Sequence, residues 1–240
     1  MEVGIECAIV AALSGWNRAY GYHKRNQYKE NQQSMTVTRE RFEQGMTYAE
    51  YKAQMTRNRE RLEENERTVE LAPDDIAFFA NLPETLNVLV ITEDWCGDAI
   101  ANVPILGRLA AESGKLNLRF FLRDQNPDLM DQYLNQGIHR SIPVFAFFDA
   151  QFHPIGHWIE RPAAITAMQE KMLANLYATD PAFAGIAPGT SLAVMPDAAR
   201  TRLMQAFADF RAETRALADR EVVRELRELI AQWLSSRQEG

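Results

Sequence analysis

Apolar and polar positions follow one pattern in the first third of the chain and another in the middle. From Thr36 to about Leu71 charged residues dominate, and Tyr48, Tyr51, Met55, Leu62 and Val69 form a broken apolar stripe at helical spacing. Thr47-Tyr48-Ala49-Glu50 has the S/T-x-x-E form, in which hydroxyl and carboxylate satisfy each other's free amides at a helix start. The pattern therefore predicts a helix from Tyr48 to about Val69. Within it, RNRERLEENER mixes both signs and reads as a solvated face, with a binding patch as the rival reading. Pro73, followed by Asp74 and Asp75, predicts a short helix through Phe79, because proline suits a first helical turn and acids suit its positive end.

The middle of the chain reads differently. Leu86–Thr92 (LNVLVIT) is a continuous run rich in Val and Ile, as expected of a strand buried on both faces. A helix beginning near Cys96 follows, then a strand over Leu116–Leu122, a helix near Asp128–Asn135 and a strand over Val144–Phe148. Phe152–Trp158 reads as a fourth strand, paired with the third through a turn at Asp149–Gln151, and Pro162–Leu176 as a closing helix. This order is an α/β layout. Residues 179–196 are rich in Pro, Gly and Ala and read as a loop; Asp197–Trp233 reads as one or two amphipathic helices broken near Ala218-Asp219. No internal repeat is evident.

Composition narrows the function classes. The 240 residues are 46% hydrophobic and 25% charged, as in ordinary globular proteins. The 26 Lys and Arg against 33 Asp and Glu leave a formal charge of −7, which offers no attractive field to nucleic acid or anionic lipid. Neither a nucleic-acid nor a membrane partner is expected. Cys7 and Cys96 are the only cysteines, which excludes a disulfide framework or a zinc site built from Cys pairs and points to the cytoplasm. The apolar stretch Val3–Trp16 contains Glu6 and falls short of the roughly 20 residues of a membrane span, and no basic region precedes it. It gives way to the polar run HKRNQYKENQQS before Met35. Residues 1–34 therefore read as an extension outside the fold with Met35 as a candidate start, 35–83 as a helical addition, 84–178 as the core, and 179–240 as a loop with C-terminal helices.

Cys96 directly follows the buried strand and falls in the first turn of the next helix, where unpaired amides and the macrodipole favour a negative sulfur. The segment Trp95-Cys96-Gly97-Asp98-Ala99-Ile100-Ala101-Asn102-Val103-Pro104-Ile105-Leu106 resembles the active-site segment of thioredoxins, whose pattern is Trp-Cys-Gly-Pro-Cys with a helix-kinking proline further on. Pro104 stands at that proline's spacing. Asp124-Gln125-Asn126-Pro127 follows the second strand as in many thioredoxins, and Ile142-Pro143 precedes the third, where the family keeps a cis proline facing its cysteine. The resemblance covers about residues 84–176. It implies a thioredoxin-like fold, a central mixed sheet flanked by helices, here with additional N- and C-terminal helices.

The departures bear on chemistry. Ala99 replaces the family's resolving cysteine, so Cys96 cannot close an intramolecular Cys-x-x-Cys disulfide and an external thiol must release any mixed disulfide. Asp98 replaces the proline; its charge raises the thiol pKa while the helix terminus and any nearby cation lower it, which leaves the sign open. Asp98 reads as a proton acceptor for Cys96, as an acid favoured at a helix N-terminus, or as a surface residue. Val90 stands where many thioredoxins keep a buried acid. Arg140 is a candidate partner for Asp98, for a thiolate, or for the carboxylate of a thiol ligand. Cys96 and Asp98 are thus the candidate catalytic pair, with Trp95, Gly97, Arg140, Ser141, Ile142 and Pro143 forming the substrate cleft and Trp95 as one wall.

Cys7 lies in a small-residue apolar stretch, where a cysteine usually serves as a buried small hydrophobe rather than a resolving thiol. His153 and His157 fall on an extended segment, where four residues span roughly 13 Å, too far to share an ion. His23 and His139 have no partner at chelating spacing, so no metal or other cofactor is expected. The first functional reading is a monothiol thiol–disulfide oxidoreductase acting on a protein or low-molecular-weight thiol or disulfide, with peroxide reduction through a sulfenic acid as a related version. The alternative is a non-catalytic protein- or peptide-binding module using the cleft beside Trp95 and Pro143. A third is a glutathione-assisted iron–sulfur cluster shared by two subunits, since the Cys-Gly start resembles that of monothiol glutaredoxins, although their glycine-rich turn after the hairpin is missing. The sequence does not indicate an oligomeric state.

Overall fold

The computed structural model describes residues 37–238. Cys7, His23, the apolar stretch 3–16 and Met35 lie outside the described residues.

The apolar runs become one four-stranded sheet in the order β2-β1-β3-β4, with β1 at Leu86–Thr92, β2 at Leu116–Leu122, β3 at Val144–Phe148 and β4 at Pro154–Ile159. β1 pairs parallel with β2 and antiparallel with β3, and β3 pairs antiparallel with β4. Parallel neighbours need a crossover, and the helix that opens after Cys96 supplies it. Every residue of β1 is buried, as its unbroken apolar run requires. Val88 and Val90 join one core, Leu89 and Ile91 the other, so the strand's two-residue period separates the layers on its two faces.

The helices, in chain order, are α1 (Arg39–Glu43), α2 (Tyr48–Gln54), α3 (Arg59–Thr68), α4 (Pro73–Ala80), α5 (Gly97–Ser113), α6 (Pro127–Met130), α7 (Ala163–Thr179) and α8 (Asp197–Gln238). Tyr51, Leu62, Phe79, Leu106, Leu226 and Ile230 bring α2 to α5 and α8 onto one core. Phe42, Leu129, Met130, Tyr133 and Ile142 fill the other. Each fully buried side chain of this size stabilises by about 1.5–3 kcal/mol. No helix among the described residues is long and apolar enough to cross a membrane.

Four elements differ from the sequence expectation. The capping box forms at Thr47, whose hydroxyl accepts from the Glu50 amide at 3.3 Å, but the helix expected to reach Val69 breaks into α2 and α3. The break is held from elsewhere: Asp94, just before Cys96, accepts from the amides of Thr56 at 2.7 Å and Arg57 at 3.0 Å, and Asn58 turns left-handed at φ 55°. The helix expected over Asp128–Asn135 is the single turn α6, after which Gln136 and Gly137 take positive φ and Asn135 bridges to His139. The fourth strand starts at Pro154, because Phe152 is itself left-handed at φ 66°. The break expected near Ala218-Asp219 is absent: α8 runs unbroken for 42 residues, with the Asp219 carboxylate taken by Arg215 one turn earlier at 2.7 Å.

Candidate functional site

Strand β1 ends inside the sheet, the chain turns through Glu93-Asp94-Trp95, and Cys96 becomes the N-cap of α5 with φ −81° and ψ 117°. Its side chain is half-buried and packs against both cores. The thiol donates to the Ile142 carbonyl at 3.4 Å, and the Ile142–Pro143 peptide bond is cis. Burial pushes the Cys96 thiol above its ordinary pKa, and the Asp98 charge pushes the same way. The amides of Ala99 and Asp98 and the Arg211 guanidinium pull it down without reversing the shift. The sign left open by the sequence is thus upward, because desolvation of the sulfur outweighs the helix terminus.

Asp98 is not a surface residue, and both of its carboxylate oxygens have arginine partners. Its Oδ2 accepts from Arg161 Nη2 at 2.6 Å and its Oδ1 from Arg211 Nε at 3.4 Å. The Asp98 and Arg161 side chains are each 15% exposed. Arg161 also pairs with Glu160. The expected candidate, Arg140, pairs instead with Asp131, its Nε and Nη2 lying 2.8 and 2.9 Å from the two carboxylate oxygens. The tight turn after α6 directs Arg140 to that exposed pair and away from Asp98.

Gly97 has a contact that explains the absence of a side chain. A Cβ there would lie 2.8 Å from Cζ of Arg211, so a side chain at position 97 would push the flexible end of Arg211 away from the start of α5. Trp95 is 42% exposed, with the Arg123 guanidinium 4.7 Å from its ring centroid. Ile142 and Pro143 are buried behind the sulfur's partner carbonyl. Ser141 accepts from Asn135 at 3.4 Å, and Asn135 also donates to Glu160 at 3.0 Å. A polar chain therefore runs from Ser141 through Asn135, Glu160, Arg161 and Asp98 to Arg211, joining the Pro143 loop to α8.

The structure thus brings Trp95, Cys96, Gly97, Ile142 and Pro143 to one place, with Ser141 at the rim and Arg140 elsewhere. Sequence reasoning missed Arg161 and Arg211, which carry no motif. It also missed Glu93, 8% exposed, which accepts the Asp124 amide at 2.9 Å and whose carboxyl burial pushes up. Its position three residues before Cys96, next to an apolar strand, was the available signal. Among the described residues no group of three His, Cys, Asp or Glu side chains is placed to hold a metal ion. His153 contacts Asp149 at 3.0 Å, whereas burial lowers His157 to about 4.

The sequence model of the family described as thioredoxin matches residues 45–173. Among solved structures, a protein of unknown function from Pseudomonas aeruginosa is 18% identical, with 74% of this chain and 96% of that chain covered and a TM-score of 0.51. An HIV epitope scaffold is 17% identical over 74% of this chain and 96% of its own, with a TM-score of 0.49. At 18% identity the first of these speaks to fold alone. No curated protein matches the chain.

Proposed function

From the premise that this chain belongs to the thioredoxin family, whose match spans more than half its length, we propose that it is a monothiol thiol–disulfide oxidoreductase with Cys96 as nucleophile. The observation that carries the reading is the placement of the sulfur at the start of α5, facing the Ile142 carbonyl beside Pro143 with Trp95 exposed next to it. Cys96 loses its proton to solvent base, and the thiolate attacks one sulfur of a disulfide R–S–S–R′. A Cys96–S–S–R bond forms and R′S⁻ leaves with the electron pair of the broken bond. An external thiolate R″S⁻ then attacks the R sulfur, forming R″–S–S–R and returning Cys96 as thiolate. Ala99 makes that second, external thiol obligatory.

The raised thiol pKa lowers the thiolate fraction at neutral pH and raises the sulfur's intrinsic nucleophilicity, so the two effects partly offset. Asp98 is a positioning residue here: its oxygens are engaged by Arg161 and Arg211, and it acts on the sulfur through its charge. The disulfide partner is a protein or a low-molecular-weight compound, and the setting is a reducing cytoplasm.

The same raised pKa and half-buried thiol favour a second reading, a non-catalytic module that binds a peptide in the cleft beside Trp95 and Pro143. Exchange of a mixed disulfide with added thiol, measured in a Cys7→Ala background, separates the two. Loss of turnover in Cys96→Ala supports the oxidoreductase; equal turnover with and without Cys96 rejects it in favour of the binding module.

A further inference from the structure

A cavity of about 180 Å³ lies between α3, α5 and α8, with Asp98 in its wall. A single water needs roughly 10–15 Å³ by the same kind of measure, so the space admits a larger guest. In a chain of net charge −7, its walls carry Arg61, Arg161, Arg211 and Arg215 against Asp98 and Asp219. The cavity is positive even when Glu160, which shares Arg161, is counted.

The arginines are only partly satisfied. Arg161 gives Nη2 to Asp98 and Glu160, yet its Nε is buried with no hydrogen-bond partner. Arg215 gives Nε to Asp219 at 2.7 Å, yet its Nη2 is likewise buried and unpartnered. Arg61 is exposed and forms no ion pair among the described residues. Buried donors without acceptors are costly, and guanidinium forks match the oxygens of carboxylate and phosphate groups. The polar groups of two further walls are already engaged, Asn65 with the Ile100 carbonyl at 2.8 Å and Thr214 with the Phe210 carbonyl at 2.7 Å.

We propose that this cavity binds a small oxyanionic ligand, carrying a phosphate or carboxylate group, through Arg61, Arg161 and Arg215. Such a ligand supplies a counter-charge to Arg61 and to the Arg161 and Arg215 guanidiniums that line the wall, whose orphaned Nε and Nη2 atoms themselves have no open surface. Cys96 is not among the lining residues, so anion binding needs no thiol chemistry, although the wall shares Asp98, Arg161 and Arg211 with the surroundings of the thiol.

The test is calorimetric titration of the full chain with inorganic phosphate and, separately, with succinate, at constant ionic strength set with sodium chloride. Saturable one-to-one binding of either anion is expected, and which one binds assigns the ligand group as phosphoryl or carboxylate. Arg61→Gln removes an exposed, unpaired cation without disturbing the core and should weaken binding about tenfold. Ala208→Glu, at an exposed position of the wall, should abolish it. Cys96→Ser should bind as wild type does, which keeps this result separate from that of the thiol assay. No saturable binding of either anion, or binding unchanged in both Arg61→Gln and Ala208→Glu, overturns the proposal.

Discussion

Replacing Asp98 with asparagine should make Cys96 more reactive and the fold less stable. The Asp98 carboxylate is the second upward push on the thiol pKa after burial, and Arg211, which pairs with it, already pulls the other way. Without the charge at position 98, the repulsion on a forming thiolate disappears while the Arg211 cation stays, so the thiolate fraction rises. Stability moves in the opposite direction. The Asp98 and Arg161 side chains are each 15% exposed with a 2.6 Å contact, and breaking a buried pair from one side costs about 3–5 kcal/mol. Asparagine keeps an acceptor oxygen and Arg161 keeps Glu160, which brings the expected loss to about 1–2 kcal/mol. For a chain of this size that lowers Tm by roughly 2–8 °C.

The assay is the rate of iodoacetamide alkylation of Cys96 at neutral pH in a Cys7→Ala background, with urea unfolding of the same samples. Faster alkylation with lower stability is the expected pair. A slower rate in Asp98→Asn would refute the reasoning, because it would make the carboxylate a proton acceptor for the sulfur. An unchanged rate would refute it too, since the charge would then not be felt at the thiol.

Three further outcomes follow from the packing. Burial holds His157 at about 4 in the folded chain against 6.5 unfolded. The folded pKa is the lower one, so His157 contributes stability that is complete above pH 6.5 and is lost as pH falls through about 4, about 3 kcal/mol in all. Urea unfolding of wild type and His157→Gln across that window should diverge, and parallel profiles would exclude the effect. Glu225 accepts the Trp158 indole N–H at 2.8 Å and the Ala163 amide at the start of α7 at 2.8 Å. Glu225→Ala should cost about 2–4 kcal/mol in chemical denaturation and Glu225→Gln roughly half of that; a loss below about 0.5 kcal/mol for the alanine would mean water replaces both bonds. Leu226 is 0% exposed on α8, so Leu226→Ala should cost about 2–5 kcal/mol, whereas Met204→Ala, at 45% exposure on the same helix, should stay within about 0.5 kcal/mol. Equal effects at the two positions would contradict the docking of α8 on the sheet.

What the sequence makes legible is what neighbouring residues decide among themselves. LNVLVIT, LNLRFFL and VFAFF carry their burial in their own composition, and β1, β2 and β3 match the expected bounds residue for residue. The capping box at Thr47 is likewise a four-residue event. The errors fall where a distant group decides. The break after α2 is held by Asp94, whose carboxylate reaches Thr56 from 38 residues away. The expected kink in α8 failed for the opposite reason, since Arg215 and Asp219 form a local i,i+4 pair that satisfies the acid within the helix.

The site divides along the same line. Trp95, Cys96, Gly97, Ile142 and Pro143 sit in two short segments whose pattern is readable, but the partners of Asp98 are 63 and 113 residues away and follow no motif. Arg140 was the candidate because it directly precedes Ser141-Ile142-Pro143 across the cleft, and a place beside that segment does not fix where a guanidinium lands; its turn delivers it to Asp131. Only in three dimensions does the departure at position 98 acquire a cause. A proline there, as in the family's own pattern, would leave Arg211 without a carboxylate and Arg161 with Glu160 alone. A side chain at position 97 would displace Arg211 from the start of α5. Asp98, Gly97 and the arginines of β4's exit and α8 are therefore one electrostatic unit, which makes the C-terminal helix part of the thiol's environment and ties the residue that departs from the family pattern to the segment that lies beyond it.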